Sequence, residues 1–160
     1  MPPIISIVGK SQSGKTTLIE KLIPELKNRG YKIGTVKHAY HAFDMDKPGK
    51  DSWRHKAAGA DTVIVASPGK IAIIKDEPSD SLNAFEKYLD DMDLVITEGF
   101  KRKNRPKIEV LRAARNDAPL CRDNQDLIAL VTDTDIDLGV PLFGLDDIEA
   151  LADLIEQKYL

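Results

Sequence analysis

The sequence predicts an α/β fold, a mainly parallel sheet with helices on both faces and an added antiparallel hairpin. Three observations carry this. Short apolar runs alternate with stretches of helical period, the signature of βαβ units. A Gly9-Lys10-Ser11-Gln12-Ser13-Gly14-Lys15-Thr16-Thr17 segment stands between the first apolar run and the first helical stripe. Two β-rich runs are joined only by Ser67-Pro68-Gly69, a turn.

The elements follow in order. Ile4 to Val8 is a continuous apolar run and reads as a buried strand. Thr16 to Arg29 carries Leu18, Leu22 and Leu26 on one helical face, with Ile19 and Ile23 beside them. Pro24 falls inside and predicts a kink or break there, and Gly30 predicts the stop. Tyr31 to Lys37 is a second strand, and His38 to Lys50 a polar loop. Asp51 to Ala58 forms a short helix capped by Asp51 or Ser52. Asp61 to Ala66 and Lys70 to Lys75 make the hairpin. Asp80 to Leu89 reads as a helix with Leu82, Phe85 and Leu89 on one side. Asp93 to Thr97, Lys107 to Leu111 and Leu127 to Val131 are strands, with a short one at Pro141-Leu142-Phe143. Asp146 to Tyr159, striped by Ile148, Leu151, Leu154 and Ile155, closes the series as a helix.

At 160 residues, 42% apolar and 31% charged, the chain fits one domain spanning 1–160. A net charge of −3 argues against a general nucleic-acid binder. A lone Cys121 fits a reducing compartment. Met1-Pro2-Pro3 enters a strand with no signal-peptide pattern, and no run approaches the roughly 20 apolar residues of a membrane helix. The expected setting is the cytoplasm, with no membrane partner.

The 9–17 segment is a complete G-x-x-x-x-G-K-T phosphate loop in the strand–loop–helix context it requires. This makes the fold P-loop NTPase-like, a three-layer α/β/α arrangement. Gly9 and Gly14 let the backbone turn so that successive N–H groups face one anion. Ser11, Gln12, Ser13 and Thr17 complete the cradle, and the helix adds its positive end. Lys15 offers a charge to the β- and γ-phosphates, and the Thr16 hydroxyl a Mg²⁺ ligand. A glycine- and serine-rich helix cap would explain the turn but leave Lys15 without a purpose.

In such sheets ligands sit at the carboxyl ends of the strands. Asp93-Leu94-Val95-Ile96-Thr97-Glu98-Gly99 delivers Glu98 to that end, where an acid would hold Mg²⁺ or its water shell; an exposed loop carboxylate is the alternative. In the 38–52 loop, Asp44, Asp46 and Asp51 could contact Mg²⁺, orient a water or sense a γ-phosphate, and Lys50 could touch phosphate. Turn-forming residues in a solvated loop are an equal reading. His38 and His41 could form half a metal site, but only His55 and Cys121 remain as soft ligands, too few for Zn²⁺ or Ni²⁺. Lys101-Arg102-Lys103-Asn104-Arg105 could bind an anionic ligand or an acidic partner, or be a solvated turn. No Asn-Lys-x-Asp sequence is present for guanine; Asp133 or Asp135, at a strand end, could serve, or simply terminate the strand.

Together, Gly9 to Leu18, Val36-Lys37-His38, Phe43-Asp44-x-Asp46-x-Pro48-Gly49-Lys50-Asp51-Ser52-x-Arg54, Ala58-Gly59-Ala60 and Glu98-Gly99-Phe100-Lys101 resemble the MobB family of molybdopterin-guanine dinucleotide biosynthesis proteins. The likeness runs from Ile4 to about Lys107. It implies GTP and Mg²⁺ as ligands, weak GTPase activity, and an accessory role beside the MobA nucleotidyltransferase, which joins GMP to molybdopterin. Carried onto this chain, it assigns phosphate and Mg²⁺ to Gly9, Ser13, Gly14, Lys15, Thr16 and Thr17, the second nucleotide-motif acid to Glu98, and a γ-phosphate or partner-facing role to the Asp44–Asp51 loop. It also implies a homodimer, with the Asp61–Lys75 hairpin as candidate interface; molybdopterin is a candidate ligand of Lys101–Arg105. A small-molecule kinase and a metallochaperone GTPase are the competing functions.

Overall fold

The computed structural model describes residues 1–39, 43–78, 82–101, 104–115 and 118–160. The chain divides into two compact units, one made of 1–38 and 86–160, the other of 39–85.

The first unit is built on six parallel strands in the order β2-β5-β1-β6-β7-β8. They are β1 (Ile4–Val8), β2 (Ile33–Lys37), β5 (Leu94–Glu98), β6 (Lys107–Leu111), β7 (Leu127–Thr132) and β8 (Leu142–Phe143). Alternate residues serve opposite faces. Ile5, Ile7, Leu94, Ile96, Ile108, Val110, Ala129 and Val131 join Leu18, Leu22 and Leu26 of α1 (Lys15–Asn28) and Leu151, Ala152 and Ile155 of α3 (Ile148–Tyr159) in one core. The two helices pack against each other on this face.

The helix α1 runs unbroken through Pro24. Proline removes one backbone bond and costs about 3 kcal/mol in a helix interior, but Leu22 and Leu26 on either side of it are fully buried and hold both halves to the sheet. Gly30, at φ +100°, ends the helix: its N–H donates to Lys27 O and the Tyr31 N–H to Leu26 O, a Schellman closure. Tyr31 is thereby committed to the cap, and its hydroxyl to Glu156, so β2 begins at Ile33 rather than at Tyr31. Arg29 ties the helices together, donating to Glu25, Asp153 and Glu156. The C-terminal helix starts at Ile148, two residues later than expected, because Asp147 accepts from the Gly144 N–H and Asp146 from Lys21.

The opposite face of the sheet is buried but partly polar. Thr97 Oγ1 donates to Ser6 Oγ at 2.9 Å. Lys107, 1% exposed, donates to Asp126 Oδ2 and Arg105 O. Glu109, also 1% exposed, accepts the N–H groups of Leu120 and Cys121 at 2.7 and 2.9 Å. Those bonds pin the segment that carries Cys121, which packs with Val8, Leu127, Leu138 and Val140.

The second unit holds α2 (Asp51–Ala57) and the hairpin β3 (Thr62–Ser67) and β4 (Lys70–Lys75). The hairpin is antiparallel as expected but forms its own two-stranded sheet instead of extending the parallel one. α2 packs against β3, and Lys56 joins it to Asp76 beyond β4. Within the helix expected over Asp80 to Leu89, Leu82–Tyr88 is a 3-10 helix; Leu82 and Phe85 are three apart, a spacing 3-10 and α-helices share. Asp80 itself lies outside the described residues. Among those residues, no helix is long and apolar enough to cross a membrane.

Burial, and then the Glu109 carboxylate, push the Cys121 thiol up to about 11. The folded chain therefore holds this proton more tightly than the unfolded chain, whose thiol titrates near 8.5. The stability so gained is complete below about pH 8.5 and is lost as pH rises towards 11. At pH 8, native Cys121 should react with a thiol reagent about a hundredfold more slowly than the urea-unfolded chain. Equal rates would contradict the burial described.

Candidate nucleotide site

The loop 9–14 bridges β1 and α1 at the carboxyl end of the central strand. Its shape depends on Gly9. A Cβ there would lie 2.5 Å from Ser13 Oγ and 2.6 Å from Val110 O. Gln12 and Gly14 have positive φ, +59° and +98°, which turn the chain over into the helix. The Leu18 N–H bonds to Gly14 O, so the amides of Lys15, Thr16 and Thr17 form the helix start. Ser13 is 3% exposed and its hydroxyl is buried without a partner among the described residues. An orphaned buried hydroxyl in a loop of amides that admits no Cβ at Gly9 fits an oxygen-rich anion. Ser11 and Gln12 lie on the exposed crest.

Lys15 Nζ donates to Lys10 O at 2.7 Å, which folds the side chain back over the loop. Burial lowers its pKa; Glu98 opposes the shift, while Lys101 and Lys37 reinforce it. The Thr16 hydroxyl lies 3.2 and 3.3 Å from the two Glu98 oxygens and donates to them. A hydroxyl beside a carboxylate is a hard oxygen donor set, of the kind Mg²⁺ takes. Glu98 gets there by strand register: β5 lies between β1 and β2, pairing Glu98 with Ile7 on one side and Lys37 on the other. Lys37 Nζ stands 3.6 Å from Glu98. After Glu98 the chain turns through two residues of positive φ, Gly99 (+104°) and Phe100 (+53°). A left-handed conformation at a bulky residue costs free energy and is held only by its surroundings. Here Phe100 is 6% exposed and packs on the His38 ring, with centroids 4.9 Å apart.

The structure thus gathers Gly9, Ser13, Gly14, Lys15, Thr16 and Glu98, with Thr17 on the first turn of α1. It adds Lys37 and brings Lys101 close enough to act on Lys15. Of the basic stretch, Arg102 and Lys103 lie outside the described residues, and the Arg105 carbonyl accepts from Lys107. His41 also lies outside. Asp133 is held by the Ala113 N–H at 2.6 Å and Arg112 Nε at 3.1 Å, and these bonds lower its pKa, the Ala113 amide most.

Asp44, Asp46, Lys50 and Asp51 belong to the second unit. Asp44 accepts the Asp46 N–H, an Asx turn. Asp46, Lys50 and Asp51 line a cavity of about 550 Å³ with Met45, His55 and the β3 segment. Asp46 Oδ2 is buried there without a hydrogen-bond partner among the described residues.

Sequence reasoning named no role for Lys37, Arg112 or Arg115. Lys37 and Arg112 sit at or just past strand ends, so the rule that chemistry follows the carboxyl ends could have singled them out. Arg115 Nη1 donates to Gln12 Oε1 at 3.2 Å, a contact across 103 positions that no local pattern reveals.

A family model described as "Molybdopterin guanine dinucleotide synthesis protein B" matches residues 4–133. The molybdopterin-guanine dinucleotide biosynthesis adapter protein of Haemophilus influenzae is 40% identical over 96% of this chain and 88% of its own length. That of Escherichia coli is 38% identical over 97% and 92%. A crystal structure of molybdopterin-guanine biosynthesis protein B superposes with a TM-score of 0.78 at 35% identity, covering 96% of this chain and 98% of that one. Bacillus subtilis MobB superposes at 0.79, with 29% identity over 99% and 98%. With its loop, its Glu98 strand and this likeness along nearly its full length, the chain belongs to the MobB family.

Proposed function

We propose that this chain is a GTP-binding accessory protein with slow GTPase activity, acting in the cytoplasm beside a MobA-type nucleotidyltransferase in molybdopterin guanine dinucleotide biosynthesis. The observation that carries the nucleotide reading is the 9–17 loop with its buried Ser13 hydroxyl, without a partner among the described residues, and Thr16 against Glu98. Family membership and the adapter names of the relatives support the pathway.

In this reading the backbone amides of the loop and Ser13 Oγ bind phosphate oxygens, and Lys15 and Lys37 balance their charge. Thr16 and Glu98 would hold Mg²⁺, and the ion would supply charge neutralisation to the phosphates. Acceleration then comes from positioning and electrostatics, which makes slow turnover the expectation. The Asp46–Asp51 cavity of the second unit is a candidate contact for the partner, and Lys101 one for molybdopterin.

The hairpin suggests the oligomeric state. Ile64 and Ile73 face each other across it on the same side as Ile71, and they are 61%, 39% and 67% exposed. A bare apolar sheet face of this kind calls for cover. In this reading a second copy of the chain covers it.

Titration with GTP, ATP and GDP, with and without Mg²⁺, tests the function. Mg²⁺-strengthened binding with GTP preferred over ATP is expected; equal affinities would reject the GTP assignment. Lys15→Ala should keep its helix, since alanine is a good helix former, yet lose at least about tenfold in affinity. The lowered Lys15 pKa sets the pH dependence. Bound polyphosphate favours the charged ammonium, so tripolyphosphate affinity should fall as pH rises through the free Lys15 pKa, below the ordinary lysine range. Lys15→Ala should remove that fall; an unchanged profile would count against Lys15. Glu98→Gln should retain Mg²⁺-free binding but lose at least about tenfold of the Mg²⁺-dependent hydrolysis. The double change Ile64→Glu and Ile71→Glu should convert a dimer to a monomer in sedimentation, and a wild-type monomer at micromolar concentration would reject the pairing.

A further inference from the structure

The strand order gives the site a direction. Glu98 and Lys37 lie at the ends of β5 and β2, on one side of β1. The ends of β6 and β7 lie on the other side. If Mg²⁺ and the terminal phosphate sit at Glu98, a triphosphate crossing the loop carries its nucleoside over β6 and β7. Two side chains wait there. Arg112 follows β6, and its Nη1 lies 3.8 Å from the point a Cβ on Gly14 would occupy. Asp133 follows β7 and bonds Arg112 Nε. Asp133 is also fixed by the Ala113 amide, so the 3-10 turn Ala113–Arg115 and the end of β7 act as one frame. Both side chains are part-exposed, Arg112 at 39% and Asp133 at 33%, and so remain open to a ligand.

We infer that Arg112 and Asp133 form the purine-recognition pair of this site, Arg112 packing its planar guanidinium on the base and holding Asp133 to accept the guanine N1–H and exocyclic amine. The inference rests on the nucleotide reading above. Guanidinium planes stack on nucleobases, and a carboxylate held by two donors keeps lone pairs for two more. The pair supplies what the missing Asn-Lys-x-Asp sequence would: a cation beside the loop and an acid for the base. Its members are 21 positions apart and meet only because β6 and β7 are neighbours.

The test compares GTP, ATP, xanthosine triphosphate and inorganic tripolyphosphate by calorimetry on wild type, Arg112→Ala and Asp133→Asn. Arg112→Ala should weaken GTP about tenfold or more and leave tripolyphosphate unchanged, which also shows the loop intact. Asp133→Asn should weaken GTP to a similar degree and strengthen xanthosine triphosphate, whose C2 carbonyl accepts from the new amide. A parallel loss of GTP and tripolyphosphate in Arg112→Ala would make Arg112 a phosphate contact and overturn the inference. So would unchanged GTP affinity in either variant, or no gain with xanthosine triphosphate. Failure of the nucleotide reading looks different: wild type would then bind neither tripolyphosphate nor GTP.

Discussion

An excess of positive charge at one end of the sheet is the constraint on which the site depends. Lys15, Lys37 and Lys101 act on a small region where, among the described residues, Glu98 is the carboxylate that faces Lys15 and Lys37. The backbone adds more of the same sign, since the loop amides and the start of α1 point their positive ends inward. The Lys15 pKa is lowered, first by burial; Glu98 opposes that shift, and Lys101 and Lys37 add to it. In the proposed reading a bound polyphosphate neutralises these cations. The parallel core is what holds these groups together, because β1, β2 and β5 end side by side.

That core departs from a purely apolar sandwich in an instructive way. One face is a conventional seam of leucine and isoleucine against α1 and α3. The other buries Ser6, Thr97, Lys107, Glu109 and Thr132. Buried polar groups are tolerated only when bonded, and here their partners are structural. Glu109 holds the Leu120 and Cys121 amides, and Lys107 holds Asp126 and the Arg105 carbonyl. These bonds fix the segments on either side of β6, whose Val110 carbonyl closes against Gly9.

Local spacing made much of this visible in the sequence. The strand–loop–helix arrangement around 9–17 and the placement of Glu98 at a strand end were legible because each is set by a strand and the residue that ends it. Leu18, Leu22 and Leu26 announced the helix. What sequence could not show was adjacency. Lys37 reaches Glu98 only because β5 inserts between β1 and β2, and Arg112 reaches Asp133 only because β6 pairs with β7. Of the kink or break that Pro24 suggested, the break does not occur, because tertiary burial of its neighbours outweighs one lost hydrogen bond. The hairpin was read correctly as a pair of strands, but strand propensity carries no information about which sheet the strands join. Tyr31 looked like strand and served as helix closure, since the cap used its amide first.

Amide hydrogen exchange with and without Mg²⁺–GTP probes the central claim most directly, because the claim concerns specific backbone N–H groups. Ordered protection confined mainly to residues 10–17, with a weaker echo around Glu98, is the predicted pattern. Protection that leaves 10–17 unchanged while GTP is demonstrably bound would place the triphosphate elsewhere and contradict the account.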